Sequence, residues 1–597
     1  MYINLVEVIH PCCIYSHHCV CAIEFSCGRK PYLQIEHEAS LTGRTCRLHN
    51  DFIEKLFLQP TSLSKLDNSI FWISIDKRNI IPVLGKTAVQ MAVVADPLRI
   101  LPPELVLRIL DFTPTSTLAS LTAVTRSWHA FIDTTHQDAI YSSPSKTPQP
   151  PQQAAGARDL TFLDDATSFS KLFTNITSWK ELCKRQTLLV RNWAEAQPVT
   201  GESVLQIGNN AVWRFKPDFK RRFFVSTSHA GGLNVHDMDT GLLLWSLPSV
   251  LDSSDEHAVR PYAHLEYQDG MAVFDREGDA VEVWQTDQEG TGKGEFRRTS
   301  VIDHDCQTRG FQLSYWTLVV VSTDGQGFVY DMKRNPPALT TRLNIEQDAV
   351  GHCDQNEDVV VYSMGARGYH VYDKTSGESL GTLQPSQCKE KYHIHRLPPV
   401  NISVQAAALA AVRYDYSQHS FPPTRSSKTR LTPVEISKGP LPNTSSDPNH
   451  IRNSEDEWGA GMLDRDSHLF VGFSRAGRVF VCSNFREALK NGPTGLAAHS
   501  QILECDSDGS SFDLGGWLSV RNHRIMFEVQ DRIYVVALDN DNRISIEDGR
   551  ASYSLLTSSA PQLAVPVSFM SLYDDAIMTT YTVNSQINRS VRGKANT

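Results

Sequence analysis

The stretch RRFFVSTSHAGGLNVHDMDTGLLLWSL, residues 221–247, decides the architecture of most of the chain. Runs rich in aromatic, aliphatic and β-branched residues alternate with turn residues. A strand is followed by Gly231-Gly232, a second strand, Asp239-Thr240-Gly241 and a third strand. The pattern then recurs. MAVFDREGDAVEVWQT (271–286) turns at Gly278-Asp279, and LVVVSTDGQGFVYDM (318–332) turns at Asp324-Gly325. VVVYSMGARGYHVYDKTSGESLGTL (359–383) repeats the whole unit with Gly368 and Gly377. HLFVGFSRAGRVFVCS (468–483) turns at Ala476-Gly477, and IMFEVQDRIYVVALD (525–539) at Gln530-Asp531.

Aligning the strand after the first turn of each unit gives anchors at Val235, Val283, Val329 and Val371, spaced by 48, 46 and 42 residues. That is the period of a four-stranded propeller blade. The next anchor, Phe480, lies 109 residues on, which implies one further blade and an insertion between them. AALAAVRY (407–414) is the candidate strand for that blade, and the polar, Pro/Ser-rich residues 417–457 read as a disordered insertion. Ile533 and SFMSLYDDAIMTTYTV (568–583) supply later blades. Residues 198–590 are expected to form an all-β propeller of about seven blades.

The 597 residues exceed one core, so several domains are expected. The net charge of −10, from 57 basic and 67 acidic residues, argues against a broad nucleic-acid surface. No apolar run is long enough to span a membrane, and the N-terminus lacks the pattern of a signal peptide. The chain therefore reads as intracellular, in cytoplasm and/or nucleus, with neither nucleic acid nor membrane as partner.

Six of the twelve cysteines fall in the first 46 residues, with His10, His17 and His18 among them. No C-x2-C pair is followed by a second pair at finger spacing, so neither a metal nor another cofactor is expected. Residues 1–95 lack sustained periodicity. They read as an irregular segment that need not belong to the mature product, since Met91 would open the following domain naturally. Enzyme signatures are missing too: there is no Walker loop, no G-x-S-x-G and no H-E-x-x-H. His304, Asp305 and Cys306 are adjacent, but a nucleophile and its base must converge from separate elements. The chain is expected to be non-catalytic.

Upstream, LPPELVLRIL (101–110) is apolar nearly all round, interrupted by Glu104 and Arg108. Pro103 suits a first helical position and Pro114 ends the helix. A second helix carries Leu118, Leu121 and Val124. Trp128, Phe131 and Ile132 then recur at helical spacing. This unit, residues 96–141, is too small to bury much surface alone and needs a partner. SSPSKTPQPPQQAAGA opens a disordered linker over 142–158. Connecting helices are expected over 159–197, where Trp179, Leu182, Cys183, Leu189 and Trp193 keep helical spacing.

L-P-x-E-L-x-L-x-I-L, a proline break, then L-x-x-L-x-x-V-x-R-x-W resembles the F-box. The matching residues are Leu101, Pro102, Glu104, Leu105, Leu107, Ile109, Leu110, Leu118, Leu121, Val124, Arg126 and Trp128. SWKELCKRQTLLVRNW looks like the linker helix of F-box proteins that carry a WD-repeat propeller. The Trp-Asp and Gly-His pairs of true WD repeats are missing, so the propeller is WD-like at most. The fold class expected is α+β multidomain: a small all-α F-box domain, then an all-β propeller.

The resemblance implies the substrate-recognition subunit of an SCF-type cullin–RING ubiquitin ligase. The F-box would bind a Skp-type adaptor, and through it a cullin, while the propeller holds an unknown target protein. The adaptor-binding candidates are Leu101, Pro102, Leu105, Ile109, Leu110, Leu118, Leu121, Val124 and Trp128. Two alternatives stay open: an F-box scaffold that delivers no target for degradation, and a propeller that binds a ligand. On the propeller, Arg214, Lys216, Lys220, Arg221 and Arg222 form a basic cluster. Arg214, Arg221 and Arg222 are candidates to meet an acidic or phosphorylated segment, against the reading of a strand edge protected by charge. Trp213, Trp245, Trp284 and Trp316 read as blade core.

Overall fold

A computed structural model describes residues 2–8, 96–143, 145–146, 160, 168–207, 210–276, 280–346, 352–395, 431–442, 456–465, 467–505, 517–529, 532–547, 549–556 and 569–581. Six blades come from consecutive stretches of chain. The first contains strands Val212–Asp218, Phe223–Ser228, Leu233–Asp237 and Leu243–Leu247. The second runs from Leu265 to Asp303, the third from Thr308 to Asn344, and the fourth from Cys353 to Leu383. The fifth is built on Trp458–Leu463, Phe470–Ser474, Arg478–Cys482 and Ser500–Glu504, and the sixth runs from Leu518 to Leu556.

Each blade is an antiparallel meander whose first strand lies innermost, against the first strands of its neighbours. The turns obey glycine chemistry: Gly231 and Gly232 take φ of +86° and +85°, left-handed values that a side chain disfavours. Val225, Val235 and Trp245 then lie in register across the first blade. The middle strands are buried on both faces, which explains their continuous apolar runs. Apolar clusters fill the gaps between sheets. Phe223, Val225 and Val235 of the first blade, for example, meet Ala272, Phe274 and Trp284 of the second.

A further sheet closes the ring, and it is composite. Its order is Thr200–Gln206, Tyr2–Val8, Ala576–Tyr581 and Phe569–Leu572. Phe569 and Met578 of this sheet pack with Phe215 and Phe224 of the first blade.

The ring itself, six blades of contiguous chain and this composite closure, agrees with the expected propeller of about seven blades. Four finer expectations are corrected here. Among the described residues no blade lies between Val371 and Phe480, because the fourth blade ends at Leu383 and the fifth opens at Trp458. AALAAVRY lies outside the described residues. The insertion is not wholly irregular either. Thr432–Val434 pairs with the outer strand of the sixth blade, and Ile436–Lys438 with Lys391–Ile394 on the fifth. Free edge donors there are satisfied by added strands. Third, Tyr2–Val8 departs from an irregular N-terminus by inserting as a strand, while residues 9–95, with their cysteines, lie outside the described residues. Last, the linker does not begin at 142. Ser145 Oγ donates to Asp111 O at 2.8 Å, and Lys146 Nζ to the same carbonyl at 2.8 Å. A cation at the negative end of a helix is favourable.

Candidate functional site

Helix α1 (Pro97–Ile100) comes first in the chain, and the helical unit that follows contains α2 (Pro103–Asp111), α3 (Thr115–Thr122), α4 (Arg126–His129) and α5 (Gln137–Tyr141). Residues Ala130–Thr135 between α4 and α5 form a π-helical turn, in place of one continuous third helix. Helix α1 is capped by Asp96, whose Oδ1 accepts from Leu98 N at 3.1 Å, and Ile100 on it is exposed.

Two stripes divide α2. Val106 and Leu110 are buried, as are Leu118, Trp128, Ile132, Ile140 and Tyr141 on the other helices of the unit. Leu105, Ile109 and Phe112 follow i, i+4, i+7 spacing and form the other stripe. Leu105 is 52% exposed, Phe112 is 74% exposed and Ile109 is half-buried. Arg108 lies over the Phe112 ring at 5.0 Å without covering it. Val124, just after α3, is 61% exposed.

The nine candidates therefore divide. Pro102, Leu105 and Val124 are exposed, and Leu101, Ile109 and Leu121 are half-buried. Leu110, Leu118 and Trp128 are withdrawn as contacts: they are 1%, 0% and 8% exposed, and a partner could reach them only by opening the core. Phe112 was missing from the set. Its position seven residues after Leu105 was the available signal.

The 16-residue helix α6 (Trp179–Ala194) joins this unit to the propeller. Ser178 caps it, accepting from Glu181 N at 3.3 Å. Its first half buries Trp179, Leu182 and Cys183 and packs against α5, with Lys180 Nζ 2.8 Å from Asp133. Its second half buries Leu189 and Trp193 against Met526, Ile533, Val535 and Tyr553. Trp193 Nε1 donates to Asp574 O at 3.0 Å, and Tyr553 Oη donates to Trp193 O at 2.9 Å. Just upstream, Ser168 Oγ and Phe169 N donate to the buried Asp575 carboxylate at 2.8 and 2.9 Å. Asp574 and Asp575 lie in the first turn of the closing sheet. In an antiparallel meander, turns one and three of every blade share one face, so the helical unit is attached on that face.

Three members of the basic cluster, Lys216, Arg221 and Arg222, are held by acids of the protein itself, whereas Lys220 is exposed and lies 3.9 Å from Asp269. Lys216 Nζ pairs with Glu266 at 2.9 Å. Arg221 is engaged by Asp218 at 2.9 Å, Asp269 at 2.8 Å and Asp287 at 2.5 Å. Arg222 pairs with Asp239 and donates to Phe169 O at 2.8 Å. Burial alone would raise the Glu266 carboxyl, but Lys216 and His264 bring it down to about 2. Arg221 and Arg222 are therefore corrected from anion-binding candidates to links between elements. The sequence displays the positive run, whereas the acids that neutralise Lys216 and Arg221 come mostly from 48 to 66 residues further on.

Arg214 has a different setting, on the opposite face. Its guanidinium lies 4.4 Å from the Trp213 ring and 5.0 Å from the Trp517 ring. Trp213 also meets His229 at 5.7 Å and Tyr262 at 5.4 Å, while His229 and Tyr262 are 4.9 Å apart. Tyr262 is 51% exposed and holds φ of +56°, a conformation that costs a residue with a side chain. These residues sit at the start of the first and sixth inner strands, in the second turn of the first blade, and in the connection to the second blade. Only Trp284 of the four tryptophans is fully in the blade core. The arrangement offers flat aromatic surface beside a cation. Among the described residues no three side chains are grouped to hold a metal ion, and no helix is long and apolar enough to cross a membrane.

The F-box domain family matches residues 98–137. No curated protein shows significant similarity to the chain. Solved structures similar to it include the computationally designed Ika8 protein, at 14% identity over 59% of this chain and 98% of that one, with a TM-score of 0.32. The designed Ika4 protein is another, at 19% identity over 28% of this chain and 94% of that one, with a TM-score of 0.23. The chain thus carries an F-box domain at residues 98–137, followed by an all-β propeller.

Proposed function

We propose that this protein is the substrate-recognition subunit of an SCF-type cullin–RING ubiquitin ligase, working inside the cell. The F-box domain binds a Skp-type adaptor through Leu105, Ile109, Phe112 and Val124, and the adaptor links it to a cullin. The target sits on the propeller face that carries Trp213, Arg214, His229 and Tyr262. The propeller is WD-like, a reading supported by the 48-, 46- and 42-residue spacing. The observation that carries the proposal is an F-box domain with an open apolar stripe, held to a propeller through one packed helix.

No side chain of this protein need do chemistry. A receptor acts by holding a target near the charged conjugating enzyme, where tethering raises the local concentration of target lysines to about millimolar. Such a role needs a stiff connection. Helix α6 supplies it: sixteen residues at about 1.5 Å each, roughly 24 Å, packed at both ends.

The test is reconstitution of the full chain with a purified Skp-type adaptor and cullin. A stoichiometric complex on size-exclusion chromatography is expected. A folded chain that fails to bind the adaptor at micromolar concentration overturns the proposal. Turnover of proteins captured by the chain in cells then separates a receptor from a scaffold.

A further inference from the structure

We propose that Ser143 is a phosphorylation site, and that a phosphate there releases a polar strap from the end of helix α2 and so weakens adaptor binding. The effect on the adaptor rests on the proposed ligase role; the release of the strap does not.

Asp111 is the last residue of α2, and Ser143, Ser145 and Lys146 cross that helix end. The Asp111 carboxylate accepts from the hydroxyl of Ser143 and, at 2.9 Å, from that of Ser145. Lys146 Nζ donates to Asp111 O at 2.8 Å and to Thr113 O, while Lys146 N donates to Ser143 O at 2.8 Å. Cys183 Sγ of α6 donates to Lys146 O at 3.6 Å, so the strap also touches the connecting helix. Ser145 is exposed, and Ser143 and Lys146 are half-buried. Three polar side chains, none of them buried, open locally at low cost.

Ser143 precedes Pro144. Proline lacks a backbone donor and keeps the residue before it out of a helix, and one class of serine/threonine kinases requires it directly after the acceptor. Two other such pairs are set in rigid surroundings. Thr113 joins α2 to α3 with its hydroxyl on Ile109 O at 3.0 Å, and Thr432 lies in a strand paired to the sixth blade. In the transfer, the Ser143 oxygen attacks the γ-phosphorus of ATP. The bond from that phosphorus to the bridging oxygen breaks, ADP leaves, and the hydroxyl proton passes to the kinase.

The phosphate brings about −1.5 to −2 charges at pH 7. It replaces the proton that Ser143 donates to Asp111. Like charge then stands beside a carboxylate that the Ser143 and Ser145 hydroxyls hold below its ordinary pKa, at the negative end of a helix. The cations there are Lys146 and Arg108, which lies 3.5 Å from Asp111 and over the Phe112 ring. They cannot neutralise the phosphate, Asp111 and the helix end together. Lys146 leaves the carbonyls for the phosphate, and the strap opens. Phe112, next to Asp111, is the most exposed residue of the stripe. An adaptor that covers it must then also strip water from the phosphate, which is costly.

The full chain is incubated with ATP and a purified proline-directed kinase, and the modified residues are mapped by mass spectrometry. Ser143 should be among them. A full chain carrying genetically encoded phosphoserine at position 143 then isolates the one phosphate. Trypsin must draw the Lys146 ammonium off the Asp111 and Thr113 carbonyls, so cleavage after Lys146 should quicken by about tenfold. The adaptor Kd, read by calorimetry, should rise by about tenfold, with Ser143→Ala within about twofold of the unmodified chain. The proposal is overturned if the kinase leaves Ser143 of the folded chain unmodified, if the phosphate does not change cleavage after Lys146, or if it leaves Kd unchanged. An unmodified chain that binds no adaptor ends the ligase role instead, and cleavage after Lys146 still decides whether the phosphate releases the strap.

Discussion

Replacing Leu105 and Phe112 together with alanine should weaken adaptor binding by about two orders of magnitude while leaving the chain folded. The estimate follows from exposure. Leu105 is 52% exposed and Phe112 is 74% exposed in the free chain. Fully burying a side chain of this kind contributes about 1.5–3 kcal/mol. An adaptor that covers the open part would gain roughly 1 kcal/mol from Leu105 and about 2 kcal/mol from Phe112. Their sum, about 3 kcal/mol, corresponds to about a hundredfold in Kd. The contrast is Leu110→Ala. Leu110 is 1% exposed, so its loss costs about 2–5 kcal/mol of packing and acts on binding only by unfolding the domain. Calorimetry with a purified Skp-type adaptor, beside thermal unfolding, reads both quantities. An unchanged Kd in the folded double variant would refute the stripe assignment. So would a Leu110→Ala variant that loses binding with no change in Tm.

Other predictions concern the propeller. Tyr369 is fully buried between the fourth and fifth blades, where its hydroxyl donates to Ala460 O at 2.8 Å and accepts from Phe473 N at 3.1 Å. Tyr369→Phe orphans both groups and should cost about 1–3 kcal/mol in denaturant unfolding. Burial lifts the Asp354 carboxyl to about 7, and the nearby Glu266 adds to the effect. Its folded pKa exceeds the ordinary 3.8, so its contribution to stability is fullest below that value and declines as pH rises toward about 7. Asp354→Asn should therefore gain Tm relative to wild type at about pH 8, with the gap shrinking by about pH 4; a constant gap across that range would exclude a titrating Asp354. Arg221→Ala leaves the buried Asp218 without its cation and should destabilise by about 2 kcal/mol, measured by urea titration. Deleting residues 1–90 removes the strand between Thr200–Gln206 and Ala576–Tyr581, so hydrogen exchange in Ala576–Tyr581 should accelerate. Unchanged protection there would show that the N-terminal strand does not hold the closing sheet.

The blades were legible because their information is local. Strand, glycine turn and strand follow within about twenty residues, and the anchors Val235, Val283, Val329, Val371, Phe480 and Ile533 all fall in third strands of successive blades. The F-box pattern was legible for the same reason, since helical spacing and proline punctuation need no distant partner. Periodicity could not say which apolar residues point inward. Leu105 and Val106 are neighbours of similar character, and only tertiary packing leaves the first exposed and buries the second.

Arg221 shows the same limit for charge. A basic run looks like a ligand site until tertiary structure brings Asp269 and Asp287 beside it. The composite closing sheet lies furthest from what sequence could reach: Ile3 faces Leu205 on one side and Thr580 on the other. Composition and spacing along the chain therefore determined the elements and their repeat. Tertiary structure decided the pairings, because the free energy of a long-range contact depends on surfaces that exist only once the ring has closed.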